Sequence, residues 1–306
     1  MGMKNPVYMD HNATTAVRPE ARDAVALALA LTGNPSSVHG SGRTARRLVE
    51  DARDAVAALV GAEPAWVVFT SGGTEANNLA LRVLPKRAPI LCSAVEHASV
   101  LSVMDGIVEI PVDGDGVVDL GALEALLAGE DTPALVSVML ANNETGVLQP
   151  VADVAALAHE HGALIHCDAV QAAGKMAIDF RALGCDLMSL SAHKIGGPSG
   201  VGALVVTSGV EGDLALIPML RGGGQEDQRV GAVSAIAVEI VLDDTHVPVI
   251  ELIAAVNQRQ AFFEILLARL LRRTHRRKKM DAEFHGATSL EVCSSNDYPL
   301  GMLGIN

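Results

Sequence analysis

Hydrophobic residues recur at helical spacing in two segments near the start of the chain. Residues 18–31 carry one stripe of Ala, Val and Leu, and residues 44–60 carry a second. Apolar residues three or four positions apart form one face of an amphipathic helix, so both segments are predicted to be helices. Gly61 is expected to end the second helix, and the turn-forming cluster at 33–37 separates the two.

From residue 66 onward, short apolar runs alternate with helical segments. The runs occupy residues 66–70, 90–93, 135–140, 163–167, 187–190 and 202–206. This alternation predicts an α/β fold with a doubly wound, mostly parallel sheet. Because ligands of such folds bind at the carboxyl ends of the strands, polar residues directly after each run are the candidates for function.

The pattern changes beyond about residue 225. Residues 249–271 are apolar and predicted to be helical, and they lead into the basic run 272–279. A solvated helix end is the main interpretation of that run, because cations favour a helix C-terminus, and a phosphate or membrane contact is the alternative. The final residues, 280–306, show no period and are predicted to be poorly ordered. The domain prediction is an N-terminal arm at 1–15, a large domain at 16–250 and a divergent or incomplete C-terminal segment at 251–306.

Composition narrows the class of protein. The 306 residues are 49% hydrophobic but only 3% aromatic, which suits buried parallel strands better than an aromatic-rich β-sandwich. The net charge of −13 argues against nucleic-acid binding, which needs a basic surface. The first residues lack an apolar signal core, and the apolar runs fall short of the roughly 18 residues that a membrane helix needs. We therefore expect a cytoplasmic protein with no nucleic-acid or membrane partner.

Cysteine and histidine spacing indicates no metal site. Cys92, Cys167 and Cys185 are predicted to be small core residues, and the chain has no C-x-x-C pair. His159 and His161 are two residues apart, so they point to different sides of a helix and are interpreted as part of a solvated helix end.

A glycine-rich segment at 71–78 follows the first predicted strand, with the sequence Ser-Gly-Gly-Thr-Glu-Ala-Asn-Asn. Glycines free the backbone to wrap an anion, and a following helix would present its N–H groups to a phosphate. The alternative is a plain tight turn in which Thr74 caps the helix.

Two charged residues follow later strands. Asp168 comes directly after the run 163–167, where a buried carboxylate needs a cationic partner such as a protonated pyridine nitrogen. Its alternative role is the cap of the next helix. Lys194 lies in a loop with Gly196, Gly197 and Pro198. A desolvated lysine can form a Schiff base with an aldehyde, although an isolated lysine is usually a surface charge.

Taken together and in this order, the motifs resemble those of NifS/IscS-type cysteine desulfurases, members of the class V aminotransferase group of fold-type I pyridoxal-phosphate (PLP) enzymes. The matching segments are residues 7–15, 33–37, 69–75, 96–97, 142–146, 166–171, 191–194 and 221–226. The resemblance implies a three-layer large domain with a mostly parallel sheet. It also implies that the small C-terminal domain is truncated or divergent here.

The resemblance also assigns roles. Lys194 would hold PLP and then move the substrate α-proton, and Asp168 would pair with the pyridine nitrogen. Gln171 would hydrogen-bond the ring hydroxyl, His97 would stack on the ring and assist proton transfer, and Asn143 would lie beside cofactor and substrate. The residues expected at the phosphate are Gly73, Thr74, Ser191 and His193.

The C-terminal part departs from the family pattern. Relatives carry a mobile loop with a cysteine that becomes a persulfide, followed by an arginine that binds the substrate carboxylate. Cys293 shares only Cys-Ser-Ser with that loop and is either the nucleophile or an incidental cysteine, and no arginine follows Arg277. Ala232 stands where the family has a threonine that reaches the phosphate of the neighbouring subunit. Truncation or a frameshift near residue 227 would explain these departures.

The expected function is conversion of L-cysteine to L-alanine with sulfur transfer as a persulfide, for iron–sulfur cluster or other sulfur-containing product assembly. A sulfur-acceptor or scaffold protein and a second copy of the chain, in a homodimer, are the expected partners. Two alternatives stay open. One is another class V PLP activity, such as selenocysteine lyase or aminotransferase, and the other is a catalytically impaired remnant that binds PLP.

Overall fold

The computed structural model describes residues 7–84, 88–130 and 134–207, together with Leu216 and Met219. All of these lie in Met1–Ala261, the first of two units into which the chain divides, the second being Phe262–Asn306. The predicted helix at 249–271, the basic run after it, Ala232 and Cys293 lie outside the described residues. The domain boundaries drawn from the sequence stay predictions.

Both predicted N-terminal helices are confirmed. Helix α1 spans Pro19–Leu29, with the proline at its start, where the missing N–H costs no hydrogen bond. Helix α2 spans Gly40–Val60 and begins earlier than predicted, because His39 caps it by accepting a hydrogen bond from the Gly42 N–H. Gly61 ends α2 with φ of 69°, a left-handed conformation that glycine adopts without strain.

In the described residues the sheet has seven strands, and each predicted apolar run overlaps one of them. The strands are β1 (Val67–Thr70), β2 (Ile90–Ser93), β3 (Val108–Ile110), β4 (Leu135–Ser137), β5 (Leu164–Asp168), β6 (Leu187–Ser191) and β7 (Gly202–Val206). The strand predicted at 135–140 ends early, at Ser137. Strand β3 was not predicted, because it has three residues and its first two side chains are exposed.

The strand order is β1-β7-β6-β5-β4-β2-β3. All pairings are parallel except those of β7, which is antiparallel to both of its neighbours. The connection from β6 to β7 covers only residues 192–201, and a parallel crossover needs about a dozen residues or more. The chain therefore turns back directly after β6, and the prediction of a mostly parallel sheet is confirmed.

Helices cover both faces of the sheet. The other helices are α3 (Gly73–Ala80), α4 (Ala98–Leu101), α5 (Leu120–Ala128) and α6 (Val151–Glu160). Successive strand residues point to opposite faces. Accordingly, Leu135 packs in a core with α3 and α4, whereas Val136 packs in a core with α2, α5 and α6. The result is the three-layer α/β architecture that the sequence predicts.

The described cysteines are confirmed as core residues, since Cys92, Cys167 and Cys185 are all buried. His159 lies in the last turn of α6, as predicted, and its Nε2 is 2.9 Å from Oδ2 of Asp186. In the part of the chain that the structure describes, no helix combines the length and apolar character that crossing a bilayer would require.

Candidate active site

A cavity of about 450 Å³ opens at the carboxyl ends of β1, β5 and β6. The sequence-predicted site residues that line it are Gly73, Thr74, His97, Asn143, Asp168, Gln171, Ser191, His193 and Lys194. They come from separate connections in the sequence, and the parallel strands bring them to one edge of the sheet. Cys293 lies outside the described residues, so the structure does not place it relative to the cavity.

Lys194 ends a short 3₁₀ turn, Ala192–Lys194, that directly follows β6. Its Nζ donates hydrogen bonds to the carbonyl oxygens of Ala13, at 2.8 Å, and Asn12. The side chain is half-buried, and this desolvation lowers the pKa of Lys194, whereas the charges of Asp168, Asp10 and Glu144 act in the opposite direction. Lys194 is therefore an amine held inside a cavity rather than a free surface charge.

Asp168 is the last residue of β5, and only 5% of it is exposed. Its Oδ2 accepts a hydrogen bond from Asn77 Nδ2 at 2.8 Å, and its Oδ1 accepts one from the Val170 N–H at 2.9 Å. Turn residues follow, so the alternative role as a helix cap is wrong. Burial raises the pKa of Asp168, while these hydrogen bonds and the positive charges of His97 and Lys194 lower it. A cation in the cavity would stabilise the ionised carboxylate.

Helix α3 begins at the glycine-rich segment and points its first N–H groups at the cavity edge. Gly72, with φ of 153°, occupies the cap position, so Thr74 is inside the helix and the capping role considered for it is wrong. A Cβ on Gly73 would lie 2.8 Å from Cγ2 of Val170. Glycine is therefore required for α3 to approach the turn after β5 this closely, which leaves a cradle of backbone N–H groups, of a kind that suits an anion, beside Ser191.

A hydrogen-bond chain joins His97 to Asp168. His97 caps α4, where its Nδ1 accepts from the Ser99 N–H at 3.0 Å and lies 2.7 Å from Ser99 Oγ. Asn77 Nδ2 donates both to Ser99 Oγ and to Asp168 Oδ2, each at 2.8 Å. Because Nδ1 is an acceptor, the proton of a neutral His97 is on Nε2. His97 is exposed and lines the cavity.

The sequence patterns assign no role to Asn77, which lies in the glycine-rich segment, or to Ser99. Asn77 is 1% exposed, and within the described structure its Oδ1 has no hydrogen-bond partner. Its position in the Thr-Glu-Ala-Asn run after the glycines was an available signal. Ser99 gave none, because its contact with Asn77 depends on how α3 and α4 pack.

The N-terminal segment at residues 10–15 crosses the cavity mouth. Asn12 donates from Nδ2 to the Asn143 carbonyl at 3.1 Å, and its own carbonyl accepts from Gln171 Nε2 at 2.9 Å. Nδ1 of His193 lies 3.1 Å from Oγ1 of Thr14, and the Thr15 N–H donates to the His193 carbonyl. This segment therefore links the connections that follow β4, β5 and β6.

Glu96, the residue before His97, is a buried acid next to the cavity. Its Oε1 accepts from Ser93 Oγ at 2.9 Å and from the Met139 N–H, while Oε2 is buried without a partner in the described residues. Burial, assisted by the negative charge of Asp168, raises the pKa of Glu96 to about 8. Glu96 thus holds its proton more tightly than an exposed carboxyl group would, and it joins the ends of two strands behind His97.

Comparison with known proteins agrees with this geometry. The family model described as Aminotransferase class-V matches residues 7–236. The IscS-like cysteine desulfurase of Mycobacterium tuberculosis is 43% identical over 235 residues, and the cysteine desulfurase of Cereibacter sphaeroides is 48% identical over 234 residues. Each match covers 72% of this chain and 59% of the relative, so the chain spans about three fifths of the length of these relatives.

A solved structure gives the same result for the fold. The X-ray structure of a NifS-like protein from Rickettsia africae superposes with a TM-score of 0.72 and 34% sequence identity, over 90% of this chain and 75% of that one. The fold is therefore that of fold-type I PLP enzymes. The chain belongs to the class V aminotransferase family, in which it is similar to the NifS- and IscS-type cysteine desulfurases.

Proposed function

We propose that the chain forms the PLP-binding large domain of a cysteine desulfurase, which converts L-cysteine to L-alanine and passes the sulfur on as a persulfide. The observation that carries this proposal is the meeting of Lys194, Asp168 and the Gly73 cradle around one cavity. The names of the relatives, cysteine desulfurases at 43% and 48% identity, support the choice of substrate.

The residues present fit PLP. The cofactor combines a phosphate, a pyridine nitrogen and an aldehyde, and each has a counterpart in the cavity. The Gly73 backbone, the α3 N-terminus and Ser191 suit the phosphate, with Thr74 and His193 on the same lining. The buried carboxylate of Asp168, whose pKa is raised by burial, suits a protonated ring nitrogen. The amine of Lys194 suits the aldehyde.

Lys194 is the residue that moves the proton. When bound, PLP supplies a conjugated ring that withdraws electrons from the substrate Cα. Desolvation lowers the pKa of Lys194, so its Nζ loses and regains a proton more readily than an exposed lysine would. Nζ can therefore accept the α-proton and return it to another atom within its reach.

His97 and the cavity amides orient the reactants. Nδ1 of His97 is held by Ser99, so Nε2 carries the proton of the neutral ring and can donate it into the cavity. Asn143 and Gln171 line the same space and supply amide groups for the substrate and the ring hydroxyl. Their side chains recognise polar atoms by hydrogen bonding without changing charge.

The described cysteines do not suit the persulfide role. Burial raises the pKa of the Cys92 thiol, and contact with Cys185 together with burial raises that of Cys167. Both raised pKa values disfavour the thiolate, which is the reactive form of cysteine. We therefore propose Cys293 as the acceptor in this chain, with a sulfur-acceptor or scaffold protein receiving the sulfur for iron–sulfur cluster assembly.

The proposal includes a homodimer in the cytoplasm. Leu27 and Leu29 of α1 are 61% and 62% exposed, and a second copy of the chain could cover them. The three cysteines of the described residues are free, buried thiols, which suit a reducing compartment. Sedimentation or light scattering of the purified protein measures whether it is a dimer. A mass equal to one chain at micromolar concentration would contradict the homodimer.

Activity is tested with purified protein, PLP, L-cysteine and a thiol reductant. We expect sulfide and alanine in equal amounts, with loss of both in Lys194→Ala. Formation of 3-mercaptopyruvate, with the sulfur retained, in place of alanine would support an aminotransferase instead. Selenide release from L-selenocysteine, with no sulfide from L-cysteine, would support a selenocysteine lyase. A protein that binds PLP without turning over L-cysteine would be a catalytically impaired remnant.

A further inference from the structure

Lys175 has no role in the proposed chemistry, yet it lies half-buried beside the cavity. Its Nζ is 2.6 Å from Gln171 Oε1 and 3.4 Å from Asn12 Oδ1. Both acceptors are amide oxygens rather than carboxylates. Burial, with a smaller contribution from the charge of Lys194, lowers the pKa of Lys175 to about 8. Burying the Lys175 amine costs desolvation free energy. We therefore look for the role of Lys175 in its hydrogen bonds to Gln171 and Asn12.

These contacts decide which way the Gln171 amide faces. A lysine amine offers its N–H groups to acceptors, so the Gln171 atom that faces Lys175 must be the oxygen. At the other end of the amide, the Asn12 carbonyl can only accept, so the atom facing it must be the nitrogen, at 2.9 Å. A flipped amide would place the Gln171 N–H groups against those of Lys175, and the Gln171 oxygen against the carbonyl oxygen of Asn12.

The backbone holds this arrangement in place. Gly174, directly before Lys175, has φ of 68°, and a Cβ there would lie 2.7 Å from Cγ2 of Ile195. The turn that carries Gln171 and Lys175 is therefore packed tightly against the residue that follows Lys194. The backbone next to Lys175 is therefore held against the loop of the reactive lysine, which places the Lys175 side chain within reach of Gln171.

We propose that Lys175 is a positioning residue that fixes the Gln171 amide so that it presents an N–H, and not its carbonyl, to the cofactor cavity. One N–H of Nε2 is used by Asn12, and the second remains for a ligand. The matching ligand atom is an acceptor such as an ionised ring hydroxyl. The identity of that ligand rests on the proposed function, whereas the orientation of the amide does not.

The first test needs no cofactor. NMR measures how fast the side-chain amide protons of Gln171 exchange with water, and wild type is compared with Lys175→Met and Lys175→Arg. We expect exchange about tenfold faster in the methionine variant, because one hydrogen bond holding the amide is lost. The arginine variant keeps a donor-only group and should stay within about threefold of wild type. Equal exchange rates in all three proteins would overturn the proposal.

The second test uses PLP affinity, followed by the visible absorption of the bound cofactor. Lys175→Met should weaken binding about tenfold and move the pH midpoint of the absorption, with substantial rescue by Lys175→Arg. In a Gln171→Ala background the same substitution should change affinity by less than about twofold, because the amide is gone. An undiminished effect in that background would overturn the proposal. If wild type binds no PLP, the proposed function fails, and the exchange experiment still decides the role of Lys175.

Discussion

At the scale of single residues, Glu96 makes the most testable contribution to stability. The native protein holds its proton up to a pKa of about 8, whereas the ordinary value is 4.5. The folded state binds the proton more tightly, so this stabilisation is complete below about pH 4.5 and is lost as the pH rises toward 8. His166 has the opposite effect at lower pH, because burial lowers its pKa to about 3.

Glu96→Gln is therefore expected to flatten the fall in stability of the cofactor-free protein between pH 6.5 and 8. Glutamine keeps an oxygen for the Ser93 and Met139 donors but does not titrate. The wild-type free energy of unfolding should decline faster than the variant's, by up to about 1.4 kcal/mol per pH unit. Denaturant unfolding at several pH values measures the two slopes. Equal slopes would show that Glu96 is already ionised in the native protein.

The sequence identified the residues whose chemistry is unusual for their position. Lys194 and Asp168 could be predicted because a charged residue within a few positions of the end of a buried strand stands out in the pattern. Ser99 and Lys175 could not, because Ser99 contacts Asn77 and Lys175 contacts Asn12 across the fold. Asn77 stood in the run after the glycines, but its partners could not be assigned. The Asn77–Ser99 bond, for example, joins residues from two helices whose packing no local period encodes.

At the scale of elements, the start of α3 depends on Gly73. Any larger side chain would meet Val170 and push the helix away from the turn after β5. We expect Gly73→Ala to destabilise the protein by about 1–3 kcal/mol and to weaken PLP binding, because the cradle widens. Thermal unfolding and cofactor titration measure these two effects.

Gly114→Ala is the matched control for that substitution. A Cβ on Gly114 meets no atom within 4 Å, and its backbone is not in the left-handed region. Stability and cofactor affinity should both stay close to wild type. If both glycine variants behave alike, the contact between Gly73 and Val170 does not limit the approach of α3.

The strands also show which features of the sheet the sequence patterns predict and which they do not. Their positions were predictable because apolar runs mark them, but the direction of β7 follows from the short connection 192–201 rather than from its composition. Within the sheet, His166 lies 2.9 Å from both Ser137 and Ser189 on the neighbouring strands. This buried polar row satisfies both ring nitrogens of His166. It could not be predicted from the sequence, because it depends on strand register.

At the scale of the whole molecule, the described part supplies the proposed cofactor cavity but no exposed thiol. We expect Cys92, Cys167 and Cys185 to resist alkylation in the native protein, whereas Cys293 reacts. After incubation with L-cysteine, persulfide should be found on Cys293 by peptide mass spectrometry. Cys293→Ala should then abolish it. Persulfide on any buried cysteine would contradict the assignment.

The central claim is that Lys194 holds PLP in this cavity, and it is tested most directly by locating the covalent attachment. The protein is incubated with PLP, reduced with borohydride and digested, and the phosphopyridoxyl group is mapped by mass spectrometry. The account predicts the label on Lys194, with labelling lost in Lys194→Ala. A label confined to Lys175 or another lysine, or no label at all, would contradict it.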